Sequence, residues 1–269
     1  MHHVVIPLEE RRSFGETLRR DAWWGQPALT FTVLTAFVVY TTWAAIQGSH
    51  YEFGPYLSPL YSPLLFGEGP HSWFGPWERP GWWPGAVPFS AAVLILWAPG
   101  GFRFTCYYYR GAYYKAFWAD PPSCAVGEPR KTYRGENSFP LILQNVHRYF
   151  LYLALGFLVV LAWDVVKATR FPAAGGGTEF GVGVGTLVLL LNVVLLGGYT
   201  LGCHSLRHVV GGYLDQLARR PARRTAYDCV SCLNRAHMRF AWASLISVGF
   251  ADLYVRMCAM GIWHDVRLL

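Results

Sequence analysis

Charge is what this chain has least of. Only 14% of its 269 residues are Asp, Glu, Lys or Arg, whereas 53% are hydrophobic. A soluble domain carries about 25% charge, so the composition argues against an ordinary water-soluble fold. Acidic residues are the scarcer sign, 16 against 23 Lys and Arg. No internal repeat is visible, and transporters are often built from repeats. The chain starts with a polar segment holding Glu9, Glu10, Arg11, Arg12, Arg19 and Arg20, which predicts no cleaved leader. Aromatics, in contrast, are plentiful, with 12 Trp, 16 Tyr and 17 Phe. The mean hydropathy of +0.23 is modest for a membrane protein, which implies long polar connections between apolar runs.

Five apolar runs are long enough to cross a bilayer, which needs about 20 residues for about 30 Å of hydrocarbon. They cover about 27–47, 87–118, 139–167, 183–217 and 233–262. With no water in the bilayer to satisfy the backbone, each is expected to be a helix. The fold class read from sequence is therefore an all-α membrane protein, one five-helix domain over residues 1–269. Pro99-Gly100-Gly101 is expected to kink the second helix.

The Lys and Arg distribution sets the expected orientation. Segments 1–25, 103–137 and 204–239 hold 4, 6 and 7 of the 23 basic residues. Basic residues favour the cytoplasmic side. The N-terminus is thus expected inside and the C-terminus outside, and the net charge of +7 reads as topology and gives no case for nucleic acid. The outer connection 49–86, rich in Pro, Gly and Trp, reads as an ordered interfacial cap. The inner connections 119–137 and 218–232 mix basic and turn residues, as suits docking of a soluble partner or contact with anionic membrane lipid.

Polar ligand-type residues at membrane depth are costly and mark candidate sites. Four runs carry them near the inner end: Cys106, His147, the group Cys203, His204 and His208, and His237. Helical spacing puts Arg103, Cys106 and Arg110 on one face, where the arginines favour a thiolate. No histidine falls in the outer half of any run, which argues against two haems stacked across the membrane. A [2Fe–2S] cluster of Rieske type takes two Cys on one iron and two His on the other. Cys106 and Cys203 with two of the four histidines supply that set. His147 and His237 are preferred because they sit on separate helices, and His208 is the main alternative. Zn²⁺ is a further candidate for the same residues, and a bis-His haem b remains an alternative. Cys258 lies near the outer end and cannot join. Cys229 and Cys232 form a C-x-x-C with Cys124 in the other inner connection, and they read as reduced cysteines. Asp252 and Arg256 are spaced to pair at i, i+4.

The stretches CYYYRGAYYKAFWADPPSCAVGEPR, YRGENSFPLILQNVHRYFLYLA, LGCHSLRHVVGG and LNRAHMRFAWASLISVGFADLYVR resemble the membrane-anchor subunit of actinobacterial succinate dehydrogenases. The likeness covers about residues 87–267. It implies a multi-pass subunit of the bacterial cell membrane that docks a flavoprotein and an iron–sulfur subunit and passes electrons from succinate oxidation to quinone. Well-known single-subunit anchors carry two b haems, and the missing outer histidines place this chain with the haem-free branch, which is associated with a Rieske-type cluster. Quinone reduction then needs donors near the inner face, for which Tyr107, Arg148, Tyr149, His204 and Arg239 are candidates. A haem b-binding anchor of the same family, or a polytopic transporter or scaffold, are the alternative readings.

Overall fold

The structure is a computed structural model that describes residues 13–129, 138–139, 141–173, 175–214 and 216–269. The helices are α1 (Gly25–Gln47), α2 (Ala91–Ile95), α3 (Trp97–Phe104), α4 (Tyr107–Tyr113), α5 (His147–Lys167), α6 (Val184–Leu201), α7 (His204–Gly211), α8 (Pro221–Arg235) and α9 (His237–Ala259). A π turn (Tyr114–Trp118) follows α4, and a 3-10 turn (Leu141–Val146) precedes α5. Two short antiparallel hairpins, β1 (Glu52–Phe53) with β2 (Tyr56–Leu57) and β3 (Arg170–Pro172) with β4 (Thr178–Phe180), cap the loops.

The chain divides into two compact units. The first comprises the residues through Ala36 with Thr105–Gln144, and the second comprises Phe37–Phe104 with Asn145–Leu269. In the first, the segment before α1 is tied to the loop after the π turn. Thr17 bridges Val126, Gly127 N donates to Glu16 O at 2.9 Å, and Arg19 Nη1 donates to Ser123 Oγ at 2.6 Å. The basic stretch 130–137 expected at the inner surface, like Glu9–Arg12, lies outside the described residues.

Three described helical segments are long and apolar enough to span a membrane: Gly25–Gln47, Ile142–Lys167 and Val184–Leu201. The other two expected crossings differ from long uninterrupted spans for physical reasons. The second is broken twice. Pro99 has no N–H to give Ile95, so the helix interrupts at Leu96, one turn before the proline. It breaks again at Cys106, which is extended at φ −62° and ψ 131°. The fifth run begins differently from the expectation, because Leu233–Arg235 end α8 and α9 starts only at His237. At 23 residues α9 is as long as α1, but it carries Arg239, Asp252 and Arg256. The fourth run also divides, at Gly202 and Cys203. The connection 218–232, expected as a loop on the inner side, is mostly the helix α8.

Packing in the second unit follows these breaks. α6 packs on α9, α3 and α6 pack on α5, and α7 packs on α8. Small residues set the distances. A Cβ on Gly101 would collide with the Phe150 ring of α5, and one on Gly198 with the Phe240 ring of α9. Close approach through small residues is the usual way membrane helices associate. Replacing Gly198 with Ala is therefore expected to lower thermal stability by about 1–3 kcal/mol through overpacking, and adding Phe240→Leu should recover part of it. Unchanged melting of the single variant would refute this contact as a determinant.

The connection 49–86, expected on the outer side, packs into the second unit. Leu57, Leu60, Tyr61 and Leu64 are buried against Ala44, Ala45, Ala91 and Ala92. Ser58 and Ser62, also buried, donate to Asp252 and Asp164 respectively. Away from these contacts the apolar faces are open. Leu29, Val38 and Val39 of α1 and Leu191 and Val194 of α6 are all more than half exposed, as lipid-facing residues are.

Candidate functional site

Each of the four preferred ligand residues falls at a helix start. Cys203 is the extended residue between α6 and α7, with φ −67° and ψ 138°, nearly the backbone of Cys106. His147 is the first residue of α5 and His237 the first of α9. The break at Cys203 is stabilised from α8. A Cβ on Gly202 would lie 3.1 Å from the carbonyl of Leu233, and Asn234 Nδ2 donates to the Gly202 carbonyl at 2.8 Å. Glycine thus admits the close crossing, and the asparagine satisfies a carbonyl that the interrupted helix leaves open.

Within the second unit the structure brings His147 and Cys203 together. His147 Nε2 lies 3.1 Å from Cys203 Sγ, and both residues are buried. A row of rings continues from this pair. His147 stacks on Phe102 at 4.6 Å between centroids, Phe102 meets Tyr199 edge-on at 5.4 Å, and Tyr199 stacks on His237 at 4.9 Å. Arg103 closes the row. Its guanidinium lies 4.7 Å over the Tyr199 ring and donates to Ala241 O at 3.2 Å and Ser244 Oγ at 2.9 Å on α9.

Not every expected residue joins this arrangement. Cys106 is buried but belongs to the first unit. The face expected to hold Arg103, Cys106 and Arg110 is not continuous, because the extended backbone at Cys106 resets the helical phase. Arg110 instead donates to Gln144 Oε1 at 3.1 Å and lies over the Tyr107 ring. His204 and His208 are exposed and meet each other, Nε2 to Nε2, at 2.9 Å. Among the described residues no group of three or more His, Cys, Asp or Glu side chains is close enough to hold a metal ion. Cys124, Cys229 and Cys232 are exposed free cysteines, and Cys258 is buried.

An apolar cavity of about 160 Å³ adjoins the ring row in the second unit. Phe102, Arg103 and Tyr199 line one side, and Pro99, Leu158 and Val248 are among the apolar residues around it. Of Tyr107, Arg148, Tyr149, His204 and Arg239, none lines this cavity, and all five are exposed. Arg103 was legible in sequence only as a neighbour of Cys106 and Tyr199 only as one more aromatic residue, since a cavity needs the helices to be placed.

The fold and site define a helical membrane protein with a buried thiol–imidazole pair and a row of aromatic rings beside an apolar cavity. The comparisons specify it further. The family model for actinobacterial succinate dehydrogenase subunit SdhC matches residues 25–261. This chain belongs to that family. A chain of the Mycobacterium smegmatis Sdh1 complex in the apo form is 42% identical, with a TM-score of 0.85 and 98% of each chain covered. No curated protein matches. The chain is thus a membrane-anchor subunit of a succinate dehydrogenase complex, and the succinate chemistry itself is not carried on it.

Proposed function

We propose that this subunit accepts electrons from a docked iron–sulfur subunit and delivers them to a membrane quinone through a [2Fe–2S] cluster of Rieske type held in the membrane. The ligand set is the one read from the sequence: Cys106 and Cys203 on one iron, His147 and His237 on the other, with His208 as the alternative histidine. The observation that carries this reading is the direct contact of buried His147 Nε2 with Cys203 Sγ at 3.1 Å. That donor pair fits the cluster chemically, because thiolate and neutral imidazole are its two ligand types. The matching backbone at Cys106 and Cys203 adds support, since an extended residue at a helix break frees its side chain from the helical surface. When bound, the cluster supplies one-electron transfer between the soluble subunits and quinone.

The chain's own residues do the rest. The bilayer and the buried rings of Phe102 and Tyr199 keep water from His147. The cavity beside them suits a quinone ring, being mainly apolar with a few placed polar groups. Arg103, fixed by Ala241 and Ser244, is placed to donate a hydrogen bond to a quinone carbonyl oxygen, where negative charge develops on reduction. In this reading Arg103 and Tyr199 replace the surface candidates Tyr107, Arg148, Tyr149, His204 and Arg239. The N-terminus faces the cytoplasm, and the flavoprotein and iron–sulfur subunits dock on the basic inner side, where Arg220, just before α8, and Arg224 on it are exposed.

The purified complex should show an electron paramagnetic resonance signal of a membrane-domain [2Fe–2S] centre and no stoichiometric b-haem band on dithionite reduction. A full haem band would establish the haem b anchor in its place. Replacing Arg103 with Gln is expected to raise the quinone KM about tenfold or more, one charge-assisted hydrogen bond being worth about 1.5–3 kcal/mol. Succinate oxidation with a soluble dye should not change. Unaltered quinone kinetics would remove Arg103 from the site.

A further inference from the structure

α7, α8 and the turn after α7 line a second, half-open cavity of about 320 Å³, which none of the preferred ligand residues enters. Its lining is His204, Arg207, His208, Gly211, Gly212 and Tyr227. His204, Arg207, His208 and Gly211 share one face of α7 by their i, i+3, i+4 and i+7 spacing. A Cβ on Gly211 would overlap the Tyr227 ring, so the glycine lets α8 set this ring as a wall of the cavity. Arg207 lies over that ring at 5.0 Å. The turn is held by Arg223, which donates to the Val210 carbonyl at 2.7 Å and the Gly212 carbonyl at 2.9 Å.

Arg207 Nε is buried and has no hydrogen-bond partner among the described residues. A buried unsatisfied donor costs about 1–3 kcal/mol, and a charged one more. Such a group in a native protein is usually met by a water or an ion. Among the described residues, no acidic side chain lines the cavity, and Asp228 on α8 is engaged by Arg224 at 3.0 Å. The guanidinium opposes a dication, so the adjacent imidazoles do not read as a metal chelate. They read as a hydrogen-bonded pair of polar rings, joined Nε2 to Nε2 at 2.9 Å, beside a fixed positive charge. Arg presents its N–H groups in a fork that matches a tetrahedral oxyanion, and basic pockets at a membrane surface take phosphate head groups.

We infer that this cavity binds a phosphate group, with Arg207 supplying the charge and the His204–His208 pair the flanking polar wall. The phosphate comes either from a phospholipid head group or from inorganic phosphate, and the two sources are separable. The test is thermal unfolding of the delipidated whole complex, titrated with phosphatidylglycerol in mixed micelles and, separately, with inorganic phosphate. Wild type should be stabilised saturably. Stabilisation by phosphatidylglycerol alone assigns the lipid source, and stabilisation by inorganic phosphate assigns the free anion. Arg207→Gln should raise the half-saturating concentration about tenfold or more, with Arg207→Lys between the two. His208→Gln, an exposed change, gives a second variant with a smaller shift in the same direction. Equal responses of wild type and Arg207→Gln to both probes overturn the proposal. So does a raised quinone KM in Arg207→Gln with its phosphate and lipid responses intact, which would assign the cavity to quinone.

Discussion

Replacing Cys203 with Ala is expected to abolish succinate:quinone reductase activity while leaving succinate oxidation by a soluble dye intact. Cys203 is 1% exposed and touches His147. In the proposed cluster its removal takes away a thiolate ligand, and the other free cysteines of the second unit are Cys229 and Cys232, both exposed, and Cys258, near the far end of α9. Loss of even an outer-shell partner lowers metal-site affinity or activity about 10–100-fold, so loss of a direct ligand should exceed about 100-fold. The [2Fe–2S] resonance should vanish together with quinone reduction. His147→Ala and His237→Ala should do the same, whereas His208→Ala should spare both. A Cys203→Ala complex that retains the resonance would exclude Cys203 as a ligand. Loss of the resonance in His208→Ala with its retention in His237→Ala would exchange those two residues in the assignment.

The second large effect lies at the opposite end of α9. Asp252 and Arg256 are both fully buried and pair at 3.3 Å. Asp252 accepts from Tyr40 OH at 2.5 Å and from Ser58 of the outer connection. Arg256 donates to Gln47 Oε1 and Ser49 O, each at 2.9 Å, and lies over the Trp43 ring. One ion pair therefore joins α9, the end of α1 and the loop that enters the bundle. Removing one partner strands a charge in a medium that cannot solvate it, at a cost of about 3–5 kcal/mol. Asp252→Asn is expected to give a sharply lower melting temperature and yield of assembled complex. Pairing it with Arg256→Gln should cost less than the two single changes added, because the double variant strands no charge. Strict additivity in that cycle would show that the pair is not the coupling element.

The i, i+4 spacing made the Asp252–Arg256 pair readable without a structure. The partners from Tyr40, Ser58, Gln47 and Ser49 were not, because they come from more than 190 positions away in sequence. Pro99 likewise announced an interruption by its missing N–H, and the structure places it at Leu96. The breaks at Cys106 and Cys203 had no such residue-level signal. Neither cysteine opposes a helix by propensity strongly enough to stop one, and an apolar run reads as continuous through them.

The sequence by itself determined the class of environment, the family and the inventory of ligand-type residues, because hydrophobicity, ionic cost and side-chain chemistry are properties of composition and spacing. Only the tertiary structure decided which of those residues meet. It set His147 against Cys203, turned His204 and His208 toward a separate cavity with Arg207, and gave Arg103 and Tyr199 a place beside the apolar cavity. Those outcomes depend on where Gly101, Gly198 and Gly202 let helices cross, and a crossing is fixed by the surfaces of both partners and not by either segment alone.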